Sequence, residues 1–415
     1  MSSQPLHSRR NFLSYCSWAA ASCMTGCSVA HQSRQELDRF IHEQMQLNHI
    51  PGLAVTIVKS GALAWSKGYG WADIEQRKPM TPDTVQNIGS ISKPFVTTAI
   101  MQCVERGELN LEDDVNEYLG FAVRNPNHPN TAITFSQLLT HHSSIADGSA
   151  YGRGYQCGDT AVSLDDWISG YFIPGGAYYS AEENFHAWAP DEHYEYNNVA
   201  FGLLAYLVEE ITQRSFENYC QTNIFRPLNM QHTSWFVSGI DEDQHAIPYA
   251  YVSDGRLHSP TWGGIDLGLV SGETPPSDFV GPVRDCIYEH PNYADGFLRT
   301  SVSQLANFQI AYLSGGALNG ERILSKQSID QIFTVREVKT DAIADTDDAH
   351  GLTWHRRRIP NGPLVWGHGG GDPGISTLFD FRPSSADGVI IFANTWGASL
   401  DQIGRRLFEE ADRMS

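Results

Sequence analysis

Lysine is scarce in this sequence: six residues against 22 arginines, and none from Pro94 through Ser325. Any chemistry centred on a lysine amine is therefore confined to a handful of positions near the two ends. Positive charge as a whole is short, with 28 Lys+Arg against 48 Asp+Glu and a formal net charge of -20. That balance excludes phosphate-backbone binding, which needs a basic surface, and docking on anionic lipid through basic patches. No run approaches the ~20 apolar residues of a spanning helix. No CxxC occurs, so zinc-ribbon and thioredoxin-type readings have no footing. Tandem repeats and low-complexity linkers are also missing. What is abundant is apolar and aromatic: 41% hydrophobic, with ten Trp, 17 Tyr and 19 Phe in 415 residues. That suffices for a large buried core and excludes a disordered chain.

The first residues read as an address. Ser8-Arg9-Arg10-Asn11-Phe12-Leu13 sets two arginines ahead of Phe-Leu, and a short apolar stretch follows from Leu13 to Gly26. The stretch is too short to span a membrane and fits a signal h-region. The arrangement resembles a bacterial twin-arginine export signal. Residues 1–26 are therefore expected to be a signal peptide, and the protein to be exported to the periplasm. Met24-Thr25-Gly26-Cys27 resembles a lipobox, with Cys27 the lipidated first residue of the mature chain. Ser28-Val29-Ala30 offers the rival, ordinary cleavage after Ala30. Residues 27–33 then form a short tether, and the only membrane association expected is through a lipid at Cys27. An oxidising compartment permits disulfides. Cys157 and Cys286 lie in loop-like, aromatic-rich segments and can pair, whereas Cys103 and Cys220 fall in helical patterns and read as buried thiols.

Periodicity divides the rest. Residues 35–48 carry apolar side chains at helical spacing, and Pro51-Gly52 ends them. Residues 53–58 read as a buried strand, and 62–69 return after the Ser60-Gly61 turn. A helix is expected over about 93–106, ended by Gly107. From 109 to about 289 the pattern is helices and long loops, with helices at 136–140 and 200–212. Residues 147–193 form an aromatic-rich insert, and long loops of that kind tend to be functional. Strand patterns resume at 364–368, 375–382 and 388–394, and an amphipathic helix closes the chain at 400–414. Strands at both ends with helices between predict one split α/β lobe and one helical lobe.

Three segments carry the chemistry. In Gly89-Ser90-Ile91-Ser92-Lys93, the lysine lies one turn beyond Ser90. A serine needs an adjacent base to act as a nucleophile, and a Ser–Lys pair supplies one. The helix start adds unpaired N–H groups and partial positive charge, which favour an oxyanion. Ser90 as a plain N-cap is the structural alternative. In Tyr194-Glu195-Tyr196-Asn197-Asn198, the Tyr196 phenol becomes a useful base only beside a cation such as Lys93. The Asn198 amide can meet both the lysine and a substrate carbonyl. A core tyrosine and a helix-capping asparagine are the alternative. In Trp366-Gly367-His368-Gly369-Gly370-Gly371, a glycine-rich strand end admits a substrate close to the backbone. There the Gly371 N–H can join that of Ser90 in an oxyanion hole, and His368 can contact a leaving group or substrate carboxylate. An ordinary glycine-rich turn is the alternative.

Taken together, Ser90-x-x-Lys93, Tyr196-x-Asn198 and His368-x-Gly370 resemble, in order and spacing, the serine β-lactamase and penicillin-binding family. The nearest branch looks like class C β-lactamases, D-Ala-D-Ala carboxypeptidases and small-ester hydrolases. Ile50-Pro51-Gly52-Leu53, Gly296-Phe297-Leu298-Arg299-Thr300-Ser301 and His350-Gly351-Leu352-Thr353-Trp354 match as flanks. The resemblance runs from about Arg34 to Glu410. It implies an α+β fold of the β-lactamase/transpeptidase type: an antiparallel sheet flanked by helices, plus a mostly helical lobe. The catalytic domain would span 34–415, its α/β lobe about 34–107 and 290–415, its helical lobe about 108–289. It also implies roles. Ser90 is the nucleophile that becomes acylated; Lys93 and Tyr196 share base and acid work; Asn198, His368 and Gly370 meet the substrate; Ser90 and Gly371 supply the oxyanion amides. His368 stands where class C β-lactamases carry Lys, which counts against efficient β-lactam hydrolysis. Thr140-His141-His142-Ser143-Ser144 departs from the family's usual text and reads as structural. The expected substrate is a small molecule or peptide, with no cofactor and no metal.

Rival readings fare worse. An α/β-hydrolase can be argued from His368-Gly369-Gly370-Gly371, but no Gly-x-Ser-x-Gly elbow follows. A zincin can be argued from His42-Glu43, but position 46 is Gln, and His141-His142 lacks a third ligand. A non-catalytic ligand-binding or scaffold member of the same fold remains the alternative of a different class. The joint presence of Ser90, Lys93 and Tyr196 speaks against it.

Overall fold

The computed structural model describes residues 34–336 and 348–414. The expected signal peptide, Cys27 and the tether lie outside the described residues. The chain divides into two units, 1–47 and 48–415. In the first, the described part is helix α1, residues 34–47, whose Leu37, Ile41 and Met45 recur every fourth position as its buried stripe.

The second unit is built on an eight-stranded antiparallel sheet. Its strands are β1 (Gly52–Lys59), β2 (Ala62–Asp73), β3 (Lys78–Pro79), β4 (Ala349–His350), β5 (His355–Arg358), β6 (Leu364–Asp372), β7 (Ile375–Arg382) and β8 (Asp387–Ala393). The order across the sheet is β4-β5-β6-β7-β8-β1-β2-β3. Early and late strands therefore meet in the middle, with Leu53 opposite Ala393 and Val58 opposite Gly388. Both central strands are apolar and buried almost throughout, as strands covered on two faces require. Helices α6 (Val302–Leu313) and α7 (Asp401–Arg413) pack against them. The amphipathic α7 turns Ile403, Leu407, Phe408 and Ala411 inward.

The middle of the chain supplies α2 (Lys93–Glu105), α3 (Phe135–Leu139), α4 (Leu164–Phe172) and α5 (Val199–Thr212). Two of these are apolar nearly all round. Every residue of α2 from Lys93 to Cys103 is buried, and so is α5 from Val199 to Val208. A helix of that kind is a core element, and side chains fixed to it inherit its rigidity. The aromatic insert splits in two. Trp167, Tyr171, Phe172 and Phe185 fill the helical core, while Tyr151 and Tyr155 turn towards the pocket described below. Cys157 and Cys286 form a disulfide across the paired strands Gln156–Cys157 and Tyr288–Glu289. Cys103 and Cys220 are free and buried. Among the described residues, no helix is long and apolar enough to cross a membrane.

One element differs from its sequence pattern. The glycine cluster after His368 reads as a turn, yet β6 runs through it to Asp372, with Gly370 opposite Thr377 and Gly371 opposite Ser376. Glycine has no side chain to signal a strand, but its backbone still makes the ladder. The neighbouring strand β5 stops pairing at Gly367. From His368 onward that edge of β6 is free of β5.

Candidate active site

Ser90 lies in a tight 3-10 turn, Gly89–Ser92, that leads directly into α2. Residues three apart eclipse in such a turn, so Lys93 comes round beside Ser90. Its Nζ donates to Ser90 Oγ at 3.0 Å, to Asn198 Oδ1 at 2.7 Å and to the Asp295 carbonyl at 2.9 Å. Ser90 is not the N-cap of α2. That position falls to Ser92, whose hydroxyl is buried, donates to the Gly89 carbonyl and accepts from Leu298 N–H. Of the two serines, only Ser90 is partly exposed.

Lys93 is fully buried. Burial lowers its pKa to about 8, against the pull of the Asp295, Asp147 and Asp372 carboxylates in the other direction. Lys93 Nζ sits 4.9 Å from the centre of the Tyr196 ring. Burial pushes the Tyr196 phenol well above the usual tyrosine range, with the Ser90 hydroxyl pulling the other way. The two groups therefore differ in kind: an amine that gives up its proton readily and a phenol that keeps its own. Near neutral pH, an amine with an accessible unprotonated form therefore lies beside a phenol that stays protonated.

Asn198 ends the loop before α5, and an acid that the motif reading passed over fixes it. Asp147 accepts from the Asn198 and Val199 backbone N–H groups at 3.0 and 2.9 Å and from Asn198 Nδ2 at 2.8 Å. These are orphan donors at a helix start, where a carboxylate is favoured. With Nδ2 held by Asp147, the Asn198 carbonyl must face Lys93. Asp147→Ala is expected to release that orientation, lowering turnover about tenfold and stability by about 1–2 kcal/mol. Steady-state kinetics and a thermal melt on the same preparation check both effects.

His141, placed by the sequence in a structural stretch, supports Tyr196. It adopts a positive φ of 60°, which non-glycine residues rarely do. In that conformation its Nδ1 accepts from Asn197 N–H at 3.1 Å and its carbonyl from Glu195 N–H at 2.9 Å. Its ring centre lies 4.5 Å from that of Tyr196. The backbone on both sides of the phenol is thus clamped. Asp295, buried, accepts from the Tyr151 hydroxyl at 2.7 Å and from Asn292 Nδ2 at 3.0 Å, and lies 3.8 Å from Lys93 Nζ.

The free stretch of β6 meets the nucleophile turn. Gly89 has a φ of +55°, and a Cβ there would lie 2.9 Å from the Gly371 nitrogen. A Cβ on Gly370 would lie 2.1 Å from the Ile88 carbonyl oxygen. Glycine at both positions lets the strand and the turn touch, which brings the Gly371 amide beside Ser90. Gly370 therefore has a packing reason to be glycine as well as the substrate contact expected of it. Thr377 Oγ1 ties the same turn to β7 by donating to the Ile88 carbonyl at 2.8 Å. His368 is buried at 5% exposure. Its Nδ1 is 2.7 Å from the Gly369 carbonyl. A carbonyl can only accept, so Nδ1 carries the proton and Nε2 presents a lone pair. Burial, then the nearby Lys93 charge, lower its pKa to about 3, so the imidazole is neutral. The pocket beside Ser90 is lined by Tyr151, Tyr155, Asn198, Trp262, Asp295, Gly371 and Asp372, among others. No lysine or arginine is among its described lining residues. A separate cavity of about 440 Å³, lined by Arg153, Trp167, Tyr178 and Glu183 among others, contains none of these groups.

A serine hydroxyl, a low-pKa amine and a protonated phenol gathered beside the Gly370-Gly371 backbone are the kinds of group that acyl transfer requires. Among the described residues, no group of His, Cys, Asp and Glu is arranged to hold a metal ion.

Comparison with known proteins bears on the chain as a whole. The family model described as Beta-lactamase matches residues 37–412. Protein flp of Staphylococcus aureus (strain N315) is 29% identical over 226 residues, covering 53% of this chain and 42% of that protein. The chain thus spans less than half the length of that relative. Penicillin-binding protein 4* of Bacillus subtilis (strain 168) is 24% identical over 353 residues, 83% of this chain and 67% of that protein. Among solved structures, the octameric penicillin-binding protein homologue from Pyrococcus abyssi superposes with a TM-score of 0.66 at 25% identity. That match covers 91% of this chain and 77% of that one.

Proposed function

Because the chain belongs to the beta-lactamase family, whose members are serine hydrolases, we propose that it is an exported serine hydrolase. In this reading it cleaves an ester, amide or peptide bond through an acyl-enzyme on Ser90. The observation that carries the proposal is the 3.0 Å contact between Lys93 Nζ and Ser90 Oγ, made by an amine whose pKa burial has brought down to about 8.

Neutral Lys93 takes the Ser90 proton as Oγ attacks the substrate carbonyl. The resulting oxyanion is met by the Ser90 and Gly371 amides, in place before the charge develops. Tyr196, kept protonated by burial, hands its proton to the leaving group and recovers one from Lys93. Water then repeats the attack on the acyl-enzyme with the proton flow reversed. Asp147 keeps the Asn198 carbonyl on Lys93 through the cycle.

The substrate end favoured here carries no free carboxylate. Neutral His368 supplies no cation to hold one. The test is a matched pair assayed beside p-nitrophenyl esters and nitrocefin: acyl-D-Ala-D-Ala and its C-terminal amide. The amide is expected to be cleaved about tenfold more efficiently than the acid, by kcat/KM. Nitrocefin is expected to be the poorest of the panel. A preference for the free acid, or nitrocefin turnover above that of the esters, overturns this substrate class.

Export is proposed from the Arg9-Arg10 signal, with a lipid at Cys27 as the proposed anchor. The Cys157–Cys286 disulfide supports an oxidising compartment. Detection of the mature protein in the cytoplasm alone would count against it.

A further inference from the structure

Acylation as written above gives no part to Asp372. Asp372 is 3% exposed and sits at the tip of β6, one residue beyond Gly371. Its Oδ1 accepts from the Tyr155 hydroxyl at 2.8 Å and its Oδ2 from Asn87 Nδ2 at 3.2 Å. The Asn87 carbonyl oxygen, in turn, accepts from Gly89 N–H at 2.7 Å. Gly89 is the residue before Ser90. A hydrogen-bonded chain thus runs from Tyr155 through Asp372 and Asn87 to the backbone of the nucleophile turn.

The two oxyanion amides belong to different elements, Ser90 to the turn and Gly371 to the sheet. Each is adjacent in sequence to a link of this chain. An oxyanion hole works only when its donors sit at about 2.7–3.1 Å from the developing charge. Something must hold turn and strand at a fixed separation, and glycine backbones cannot do so through side chains. A second strut reinforces the first. The Tyr288 hydroxyl donates to the Pro373 carbonyl at 2.8 Å. Tyr155 immediately precedes the strand Gln156–Cys157, and Tyr288 lies on its partner Tyr288–Glu289, a pair stapled by the Cys157–Cys286 bond.

We propose that Asp372 is a positioning residue that sets, through Asn87, the spacing between the Ser90 and Gly371 amides. This rests on Ser90 being the nucleophile. The test is the kinetics of fluorophosphonate labelling on the full chain, because the phosphonyl oxygen uses the same amides and no natural substrate need be known. Asp372→Ala is expected to lower the limiting labelling rate about 30-fold, while the half-saturating probe concentration moves less than about threefold. Asp372→Asn keeps an oxygen acceptor for the Asn87 amide and is expected to recover to within about fivefold of wild type. A general loss of packing would not be rescued in that way.

A folded Asp372→Ala protein that labels at the wild-type limiting rate overturns the proposal, as does an Asn variant no faster than Ala. If Asp372→Ala yields no folded protein, Tyr155→Phe decides. It removes one donor to the carboxylate and must slow the limiting rate about threefold, and an unchanged rate overturns the proposal. Absence of label on the wild-type chain overturns the nucleophile assignment itself, and this proposal with it. Labelled wild type with unaffected variants overturns the positioning role alone.

Discussion

Ser90→Ala is expected to remove all fluorophosphonate labelling and to lower turnover about 10⁴-fold or more. The expectation is specific to this serine because its neighbour is already committed. Ser92 is buried, with its hydroxyl donating to Gly89 and accepting from Leu298, and cannot substitute. Removing Oγ leaves the amides of Ser90 and Gly371 in place, so a small residual rate from binding and oxyanion contacts is consistent with the scheme. Intact-mass analysis after exposure to the probe gives the readout. An alanine variant that still gains one probe mass would reassign the nucleophile.

Lys93→Arg is expected to cost about 10³-fold, because a guanidinium cannot give up its proton near neutral pH. The site also has no room for the larger head group. Lys93 Nζ holds three oxygens at 2.7–3.0 Å in a fully buried position. The pH dependence tests the same assignment from another side. Lys93 acts when unprotonated, and burial has brought its pKa down to about 8. The limiting labelling rate should therefore rise about tenfold per unit up to about pH 8 and level off above it. The direction matters. If Tyr196, raised by burial, were the base, the rise would continue far into the alkaline range. A plateau already reached at pH 6, or a Lys93→Arg protein at wild-type rate, would remove Lys93 from the base role.

How far the sequence carries is best seen residue by residue. Ser90, Lys93, Tyr196 and Asn198 are legible because their chemistry is local. Each stands in a short motif at a helix start, and the structure brings them together within hydrogen-bond reach or ring contact of Lys93. The strands at both ends are legible for a similar reason: 53–58 and 388–394 are mostly apolar runs, interrupted only by Thr56 and ended by Asn394. The acids that organise the site are harder to see. Asp147, Asp295 and Asp372 each stand beside a conspicuous segment: the start of the insert, the Gly296-Phe297 flank and the glycine cluster. Each acts through contacts 51 to 285 residues away in sequence, and no periodicity announces such pairings. The protonation states are also invisible in the sequence. Lys93, Tyr196 and His368 are moved mainly by burial, which exists only once the helices and the sheet have closed over them.

The pairing of Leu53 with Ala393 has a consequence for how the protein is made. Among the described strands, the centre of the sheet joins the first to the last, so its formation waits until β8 has been made. Such long-range pairing is slow and leaves apolar strands such as β1 open to wrong partners in the interval. Gly371 lies on the late side of that seam and Ser90 on the early side. A nascent chain halted before β6 carries Ser90 and Lys93 with no Gly371 to face them. On the proposed scheme, both halves of the site come together only after β6 has joined the sheet.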